Sequence, residues 1–228
     1  KTTELQKNYG IAFFSLGNVH IDLKEYNQAL SCYQKAIEIN PRIVGAHNNL
    51  GLVYRTLNDL ENAIKSYQSA IKLQPKHGGA HHNLALAFKE LGKFNKSVEA
   101  HQKAIECEPE NLSHYYYLSE LKKEVLNLDL KNKVEKILIE KKSTKKDIAF
   151  GNYILAKYER KEKNYEKELK ILIDGHKNYF ESMEKRFELG IKYCFEDVLQ
   201  INEQAKVDKI TNDKYDEIKP IFIIGVPR

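Results

Sequence analysis

The chain has 228 residues, of which 42% are hydrophobic, and its 37 basic and 32 acidic residues give a formal net charge of +5. The two signs of charge are interspersed and the densest basic group lies within 141–146, which excludes the clustered basic footprint of a nucleic-acid-binding protein. No apolar run reaches the ~20 residues that span a bilayer, and no signal peptide is recognisable, so no membrane partner is expected. The distant cysteines Cys32, Cys107 and Cys194 predict reduced thiols and a cytoplasmic location.

An internal repeat organises the first half of the chain. Pro41, Pro75 and Pro109 follow one another at intervals of 34 residues, and the same residues recur in register around them. This period and pattern resemble the tetratricopeptide repeat, a unit of two antiparallel helices. The recurring residues are Leu16-Gly17, Leu50-Gly51 and Leu84-Ala85; Tyr33, Tyr67 and His101; and Ala36-Ile37, Ala70-Ile71 and Ala104-Ile105.

The resemblance covers residues 10–111 and implies an all-α, right-handed superhelical solenoid of antiparallel helix pairs. Neighbouring units in such a solenoid bury apolar stripes that one unit cannot bury alone. We therefore expect Leu16, Leu50 and Leu84 to lie buried where helices meet. The small residues that follow these leucines let backbones approach closely, and each proline ends the second helix of its unit.

Helix pairs are predicted as far as residue 180, with the first pair at 11–23 and 26–39. Two degenerate units follow the three regular ones, because apolar residues keep the helical spacing after the repeat residues are lost. Ser143-Thr144 with Asp147 predicts a turn and a new helix start between these two units. The predicted units are 10–43, 44–77, 78–111, 112–142 and 147–180, followed by an amphipathic helix over 181–206 and a polar linker over 207–219.

Turn and cap residues are predicted within the regular units. Asn58 and Gly92 lie between paired helices, where a left-handed residue suits a tight turn. Asp59 and Asn95 are the predicted N-caps of the second helices.

The last nine residues, 220–228, change the pattern. Pro-Ile-Phe-Ile-Ile-Gly-Val-Pro-Arg is apolar, β-branched and short, which predicts a buried strand that runs into a glycine turn. This stretch resembles the first strand and the opening of the phosphosulfate-binding loop of sulfotransferases. Repeats joined to such a strand resemble a bacterial family of repeat-containing sulfotransferases.

That resemblance implies that the parent protein transfers sulfate from 3′-phosphoadenosine 5′-phosphosulfate (PAPS) to an acceptor. Gly225, Pro227 and Arg228 would bind PAPS, while the Ser-Gly-Thr-Thr loop and the general base would lie in a missing C-terminal catalytic domain. The start of the chain also looks cut, since Met183 is its only methionine. The fragment itself is expected to be catalytically inactive and to hold no cofactor.

The inner surface of the solenoid is the predicted binding site. The blocks Asn48-Asn49 and His82-Asn83 resemble the repeats of O-linked N-acetylglucosamine transferase, in which a ladder of asparagines grips the backbone of an extended peptide. An amide side chain can donate and accept at once, so it matches a peptide unit. Ser15 is expected to break the ladder in the first unit. The predicted groove residues are Asn18, Asn48, Asn49, Arg55, His82, Asn83, Lys89 and Tyr116.

Several alternatives remain open at this point. The asparagines could instead be solvated or bind a neighbouring repeat, and the protein could be a pure scaffold or an accessory array of a glycosyltransferase. A carboxylate clamp for chaperone C-termini would need basic residues where Phe14 and Gly79 stand. His77, His81 and His82 have the spacing of helical metal ligands, but satisfied or exposed histidines explain them better than a zinc site.

Overall fold

The computed structural model of the chain describes residues 2–140 and 143–183, and all regular structure in these residues is helical. The predicted linker over 207–219 and strand over 220–228 lie outside the described residues, as does the predicted helix over 181–206 beyond residue 183. The helices are α1 (Thr2–Asp22), α2 (Tyr26–Ile39), α3 (Val44–Thr56), α4 (Leu60–Leu73), α5 (Gly78–Glu90), α6 (Phe94–Cys107), α7 (Leu112–Leu121), α8 (Leu128–Glu140), α9 (Lys145–Lys161) and α10 (Tyr165–Ser182).

The helices pack as a chain of hairpins. α1 pairs with α2, α3 with α4, α5 with α6 and α9 with α10, and the second helix of each regular pair packs on the first helix of the next. Tyr33 and Tyr67, at equivalent positions of the second helices, are fully buried between neighbouring pairs. The predicted all-α solenoid of helix pairs is therefore confirmed.

The tight turns inside the pairs share one backbone geometry. Asn58 and Gly92 have positive φ angles of 63° and 73°, which confirms their predicted role. Lys24 and Lys163 adopt the same left-handed conformation without a sequence signal for it. In each turn the next residue donates its N–H to a carbonyl five residues back. The α9–α10 hairpin is therefore built like the regular pairs, although its sequence has diverged.

The pair α7–α8 departs from this plan. α7 is ten residues long and is followed by a 3-10 turn at Lys123–Val125 in place of a left-handed turn. α7 packs directly on α9. Leu112, Val134 and Ile154 belong to one core cluster, and each of these three residues is fully buried. α8 begins at Leu128, two residues after the predicted start at Leu126.

The repeated prolines are tied to the helices that follow them. Nε2 of His47 lies 2.9 Å from the carbonyl oxygen of Pro41, and Nε2 of His81 lies 2.9 Å from that of Pro75. In the next unit the hydroxyl of Tyr115 donates to the carbonyl of Pro109 at the same distance. A side chain from the first turns of each following helix thus binds a carbonyl of the turn that connects it to the preceding helix.

Two of the three predicted caps are confirmed and one is wrong. Asp59 accepts a hydrogen bond from the backbone N–H of Asn62 at 3.1 Å, and Thr144 with Asp147 forms a reciprocal capping box at the start of α9. Asn95 is not a cap, because α6 begins at Phe94 and its N-cap is Lys93. Asn95 lies inside the first turn, where its backbone is already helical.

The expected burial of the repeated leucines holds for two of the three. Leu50 and Leu84 are 8% exposed, but Leu16 is 44% exposed. Among the described residues no helix packs in front of α1, so Leu16 lacks the neighbour that covers its equivalents. α1 also begins at Thr2, nine residues before the predicted start.

The structure bears on the predictions about cysteines and membrane-spanning helices only within the described residues. Cys32 is buried, Cys107 is half-buried, and both are free thiols, whereas Cys194 lies outside the described residues. None of the described helices combines the length and apolarity needed to cross a membrane.

Candidate peptide-binding groove

Four asparagines on the first helices form a continuous chain of hydrogen bonds across three units. The amide of Asn83 donates to Oδ1 of Asn48 at 3.0 Å, and Asn48 donates to Oδ1 of Asn49 at 3.2 Å. Asn49 donates to Oδ1 of Asn18 at 2.9 Å. The chain ends at Asn18, whose oxygen also accepts the hydroxyl of Tyr33 at 2.8 Å. All four asparagines are half-buried, so the chain of amides remains partly open to solvent.

The expectation that Ser15 interrupts the ladder is wrong. Ser15 is exposed, and Asn49 binds Asn18 instead, one helical turn further along α1. Tyr33 from α2 holds Asn18 in place, since its hydroxyl and the Asn49 amide share the same acceptor. The sequence signal for this contact was the combination of Tyr33 with Asn18, because the other regular units have leucine at the position of Asn18.

The two ends of the asparagine chain have unused hydrogen-bonding capacity. Within the described residues, Nδ2 of Asn18 has no partner, and neither has Oδ1 of Asn83. The inner members, Asn48 and Asn49, each use their oxygen as an acceptor and their nitrogen as a donor. The chain is therefore polarised, with donors available at the α1 end and an acceptor available at the α5 end.

The second unit lacks the asparagine that satisfies its buried tyrosine. Leu52 stands where the first unit has Asn18, and the fully buried hydroxyl of Tyr67 has no hydrogen-bond partner among the described residues. Burial raises the pKa of Tyr67 well above its usual value. Nη1 of Arg55 is likewise buried and unpaired, while Nε lies 4.0 Å from Oε1 of Glu90. Arg55 therefore keeps one buried donor without a partner among the described residues.

Beyond the asparagines the lining becomes aromatic. His82 contacts His101, His114 and Tyr117, with ring centroids 5.0–5.3 Å apart. Nδ1 of His82 lies 3.3 Å from Nδ1 of His114, whose Nε2 binds Glu108 at 3.0 Å. His101 is fully buried, and neither of its ring nitrogens has a hydrogen-bond partner in the described part of the chain.

These histidines are held neutral. Burial lowers the pKa of His82 to about 2, with further lowering by His114, His101 and Arg55. Burial likewise lowers the pKa of His101 to about 3, and His114 and Lys89 lower it further. The pKa of His114 is lowered by burial and raised in part by Glu108, with a net downward shift. The cluster thus presents uncharged aromatic surface at neutral pH.

The aromatic lining continues on α7 and α9. Tyr116 contacts Tyr117, and Tyr153 on α9 lies 5.6 Å from Tyr116 between ring centroids. Lys157 places its ammonium 4.6 Å from the centre of the Tyr116 ring and also binds Glu120. Burial raises the pKa of Tyr116 to about 12, so the ring remains a neutral phenol. Tyr116 is half-buried and is fixed in position by Lys157.

The structure thus brings most of the predicted groove residues into two connected groups. Asn18, Asn48, Asn49 and Asn83 form the asparagine chain, and His82 joins the aromatic cluster that leads to Tyr116. Arg55 and Lys89 lie near the aromatic cluster and act on the pKa values of its histidines. Among the aromatic residues, Tyr117 and Tyr153 were not predicted as groove residues.

The histidines considered as metal ligands have other contacts. Nδ1 of His77 accepts the backbone N–H of Ala80 as an N-cap, and His81 binds the carbonyl of Pro75. In the described ranges no group of three histidine, cysteine or carboxylate side chains has the geometry to hold a metal ion.

These features define a class of helical-repeat protein with a polar and aromatic inner surface. A family model described as TPR repeat matches residues 17–57 and 51–92, and one described as tetratricopeptide repeat matches residues 78–111. Residues 17–111 are therefore tetratricopeptide repeats. No match was found among the curated proteins.

Solved structures of repeat domains resemble the fold. The first TPR domain of Spaghetti (RPAP3), bound to the HSP90 peptide SRMEEVD, is 19% identical with a TM-score of 0.50, covering 53% of this chain and 96% of that one. The TPR domain of Arabidopsis OM64 is 19% identical with a TM-score of 0.51, covering 52% and 98%. The MamA RS-1 ArsTM double mutant is 20% identical with a TM-score of 0.52, covering 60% and 79%. At these identities the likeness concerns the fold alone.

Proposed function

We propose that this protein binds an extended segment of another protein along the inner surface formed by α1, α3, α5 and α7. The observation that carries this proposal is the polarised asparagine chain, which is half-buried and has unused groups at both ends. An extended peptide presents alternating N–H and C=O groups and needs partners of both kinds. Asn18 offers the donors and Asn83 offers the acceptor.

The internal hydrogen bonds of the chain favour binding rather than oppose it. Because Asn48 and Asn49 are held by their neighbours, less side-chain entropy is lost when a peptide docks against them. Each amide has a second N–H or a second lone pair beyond the contact it makes to its neighbour.

The aromatic half of the surface suggests which type of peptide side chain lies beyond Asn83. His82, Tyr117 and Tyr116 present partly exposed, neutral rings immediately beyond Asn83. Rings of this kind favour apolar or aromatic side chains. We therefore infer a ligand whose backbone is held at the asparagine chain and whose apolar side chain lies on the aromatic cluster.

The resemblance to the Spaghetti domain supports a peptide as the kind of ligand, since that domain is bound to one. We do not infer a preference for acidic peptides from the SRMEEVD peptide of that domain. Phe14 and Gly79 occupy the places where a carboxylate clamp would need basic side chains. We expect SRMEEVD to bind more weakly than a peptide selected for this surface.

Titration of fluorescent peptides tests the proposal. Peptides are first selected from a random library against the wild-type chain, and the best binder and SRMEEVD are then titrated by fluorescence polarisation. The Asn49→Ala, Asn83→Ala double variant should weaken the selected peptide at least ~10-fold, since about 1.4 kcal/mol corresponds to tenfold. The matched control is Asn95→Ala, an exposed asparagine on α6. Equal affinity of the double variant and the wild type would reject the asparagine chain as the binding site.

We further propose, from residues 220–228 alone, that the repeats belong to a parent sulfotransferase that uses PAPS. Gly225, Pro227 and Arg228 lie outside the described residues, so this proposal depends on the sequence resemblance. Its test is the sequence that follows Arg228 in the parent gene. Ser-Gly-Thr-Thr followed by a helical pattern supports a PAPS loop, whereas a stop codon or a polar tail contradicts it and leaves a repeat scaffold.

A further inference from the structure

Arg55 on α3 is a half-buried cation without a close counterion. Its side chain is 20% exposed, and its ion-pair partner among the described residues is Glu90, whose Oε1 lies 4.0 Å from Nε. Nη1 is buried and unpaired, and Nε and Nη2 make no hydrogen bond with a described residue either. Removing a charge from water is costly unless the charge is paired and hydrogen-bonded. The guanidinium therefore has capacity for a second, closer acceptor.

Arg55 lies where the asparagine chain meets the aromatic cluster. Helical spacing puts it on the same face of α3 as Asn48, seven residues earlier, which binds Asn83 of α5. Burial lowers the pKa of His82, and the charge of Arg55 adds to this lowering. Burial raises the pKa of Tyr117, and the charge of Arg55 opposes this rise. The guanidinium thus acts on two rings of the cluster and lies beside the path that leads to them from Asn83.

The next unit adds a second cation at the equivalent position. Lys89 stands 34 residues after Arg55, on α5, and is half-buried with no hydrogen bond or ion pair among the described residues. Burial lowers the pKa of His101, and the charge of Lys89 adds to this lowering. Because the neighbouring histidines are uncharged at neutral pH, they do not alter the balance of charge. Two cations therefore share one loosely placed carboxylate, that of Glu90, and this part of the groove is positive.

We propose that Arg55, supported by the charge of Lys89, binds an acidic side chain of the peptide, an aspartate or glutamate next to the apolar side chain on the aromatic cluster. This inference rests on the proposed function and adds a charge requirement to its ligand. A guanidinium presents its N–H groups in a fork that matches a carboxylate, so the peptide carboxylate replaces Glu90 as the partner of Arg55. The site is separate from the clamp positions at Phe14 and Gly79.

Parallel selections from one random peptide library test the proposal. The targets are the full-length wild type, Arg55→Gln and the matched control Arg42→Gln, which changes an exposed arginine in the turn between α2 and α3. Circular dichroism checks the folding of each variant. Peptides selected on the wild type and on Arg42→Gln should be enriched in aspartate or glutamate at one position beside an apolar residue. Peptides selected on Arg55→Gln should lack this enrichment.

A second measurement leaves Arg55 intact. The best wild-type binder and the same peptide with its acidic residue replaced by the corresponding amide are titrated by fluorescence polarisation. The replacement should weaken binding to the wild type at least ~10-fold, and binding to Arg55→Gln less than ~2-fold. Glu90→Gln removes the competing carboxylate, so it should strengthen the acidic peptide by about 3-fold and leave the amide peptide unchanged. A merely structural role of Arg55 would not produce this difference between the two peptides.

The outcomes separate this inference from the proposed function. Wild-type peptides without an acidic preference, whose binding is still weakened by the Asn49→Ala, Asn83→Ala double variant, would overturn the role of Arg55 alone. An acidic preference that persists in Arg55→Gln would also overturn it, as would an equal effect of Glu90→Gln on both peptides. Failure to select any peptide on the wild type would overturn the proposed function and this inference together.

Discussion

The amide of Asn49 donates a hydrogen bond to Oδ1 of Asn18 across 2.9 Å, and this contact joins the first helix pair to the second. The same oxygen accepts the hydroxyl of Tyr33, which is fully buried. One acceptor therefore satisfies two donors from two different helices. The contact is both a structural link and the end of the candidate binding surface.

Removing this acceptor should destabilise the protein. Asn18→Ala leaves the Tyr33 hydroxyl buried without its acceptor, so we expect the free energy of unfolding to fall by about 1–3 kcal/mol. Tyr33→Phe in the same background should restore part of the loss, because it removes the unsatisfied group. Urea unfolding followed by circular dichroism gives the free energy of unfolding of the wild type, of Asn18→Ala and of the Asn18→Ala, Tyr33→Phe double variant. Equal losses for Asn18→Ala and the exposed Asn95→Ala would contradict the role of Asn18.

A close contact between Gly51 and Tyr67 should make two substitutions interdependent. A Cβ at Gly51 would lie 2.6 Å from Cε1 of Tyr67, so Gly51→Ala should destabilise by about 1–3 kcal/mol. The third unit has Ala85 where the second has Gly51, and His101 where the second has Tyr67. The added methyl group there faces a smaller ring. Tyr67→His should therefore rescue Gly51→Ala, and the double variant should lose less than the sum of the single losses.

The matched control for this pair is Gly79→Ala. A Cβ at Gly79 would contact only the His77 ring, at 3.3 Å and beyond, and Gly79 lies inside a helix. That substitution should be neutral or stabilising by up to ~1 kcal/mol. Additive losses for Gly51→Ala and Tyr67→His would show that the two residues do not share one space.

The left-handed lysines predict a stabilising change. Lys163 has a φ of 60°, a conformation that costs a residue with a Cβ on the order of 1 kcal/mol. Lys163→Gly should therefore raise the free energy of unfolding by about 0.5 kcal/mol after the entropy of glycine is counted. Gly92→Ala, at the equivalent turn, should do the opposite. Thermal unfolding compares the two, and a lower melting temperature for Lys163→Gly would contradict the shared turn geometry.

The buried histidines should make stability fall in acid. The pKa of His101 is about 3 in the folded protein and near its ordinary value of 6.5 when unfolded. The unfolded chain therefore takes up a proton below pH 6.5 that the folded chain does not. The stability that neutral His101 contributes to the folded protein is fully present above pH 6.5. It is lost by about 1.4 kcal/mol per pH unit as the pH falls from 6.5 towards 3.

Replacing His101 should flatten this dependence. His82 contacts its ring, His114 and Lys89 add to the lowering of its pKa, and the carboxylate of Glu108 binds His114 rather than His101. In urea unfolding between pH 7 and pH 4.5, His101→Phe should show a smaller loss of stability with acid than the wild type. An unchanged pH slope would mean that His101 is protonated within the folded protein.

The regular units were predictable because their physics is local. The interval between Pro41 and Pro75 fixes the length of a unit, and small residues such as Gly51 mark where a tyrosine ring approaches the backbone. Asp59 follows from cap chemistry alone. The turn at Lys163 could not be predicted, because a lysine adopts positive φ only when the packing of α9 on α10 imposes it.

The candidate site was predictable in its residue types but not in its connectivity. Sequence spacing predicts Asn49 and Asn83 on the inner surface and a break in the series at Ser15. The contact between Asn49 and Asn18 joins two neighbouring helix pairs, so it depends on how far α3 is rotated against α1. The exposure of Leu16 depends in the same way on what packs in front of α1, which the repeat pattern does not specify.

The central claim, that the asparagine chain holds a peptide, is tested most directly by the side-chain amide signals of a ¹⁵N-labelled chain. Single asparagine variants assign the signals, and the selected peptide is then added to saturation. The signals of Asn18, Asn48, Asn49 and Asn83 should shift while that of Asn95 stays in place. Shifts confined to asparagines outside this chain, with all four groove signals unmoved, would contradict it.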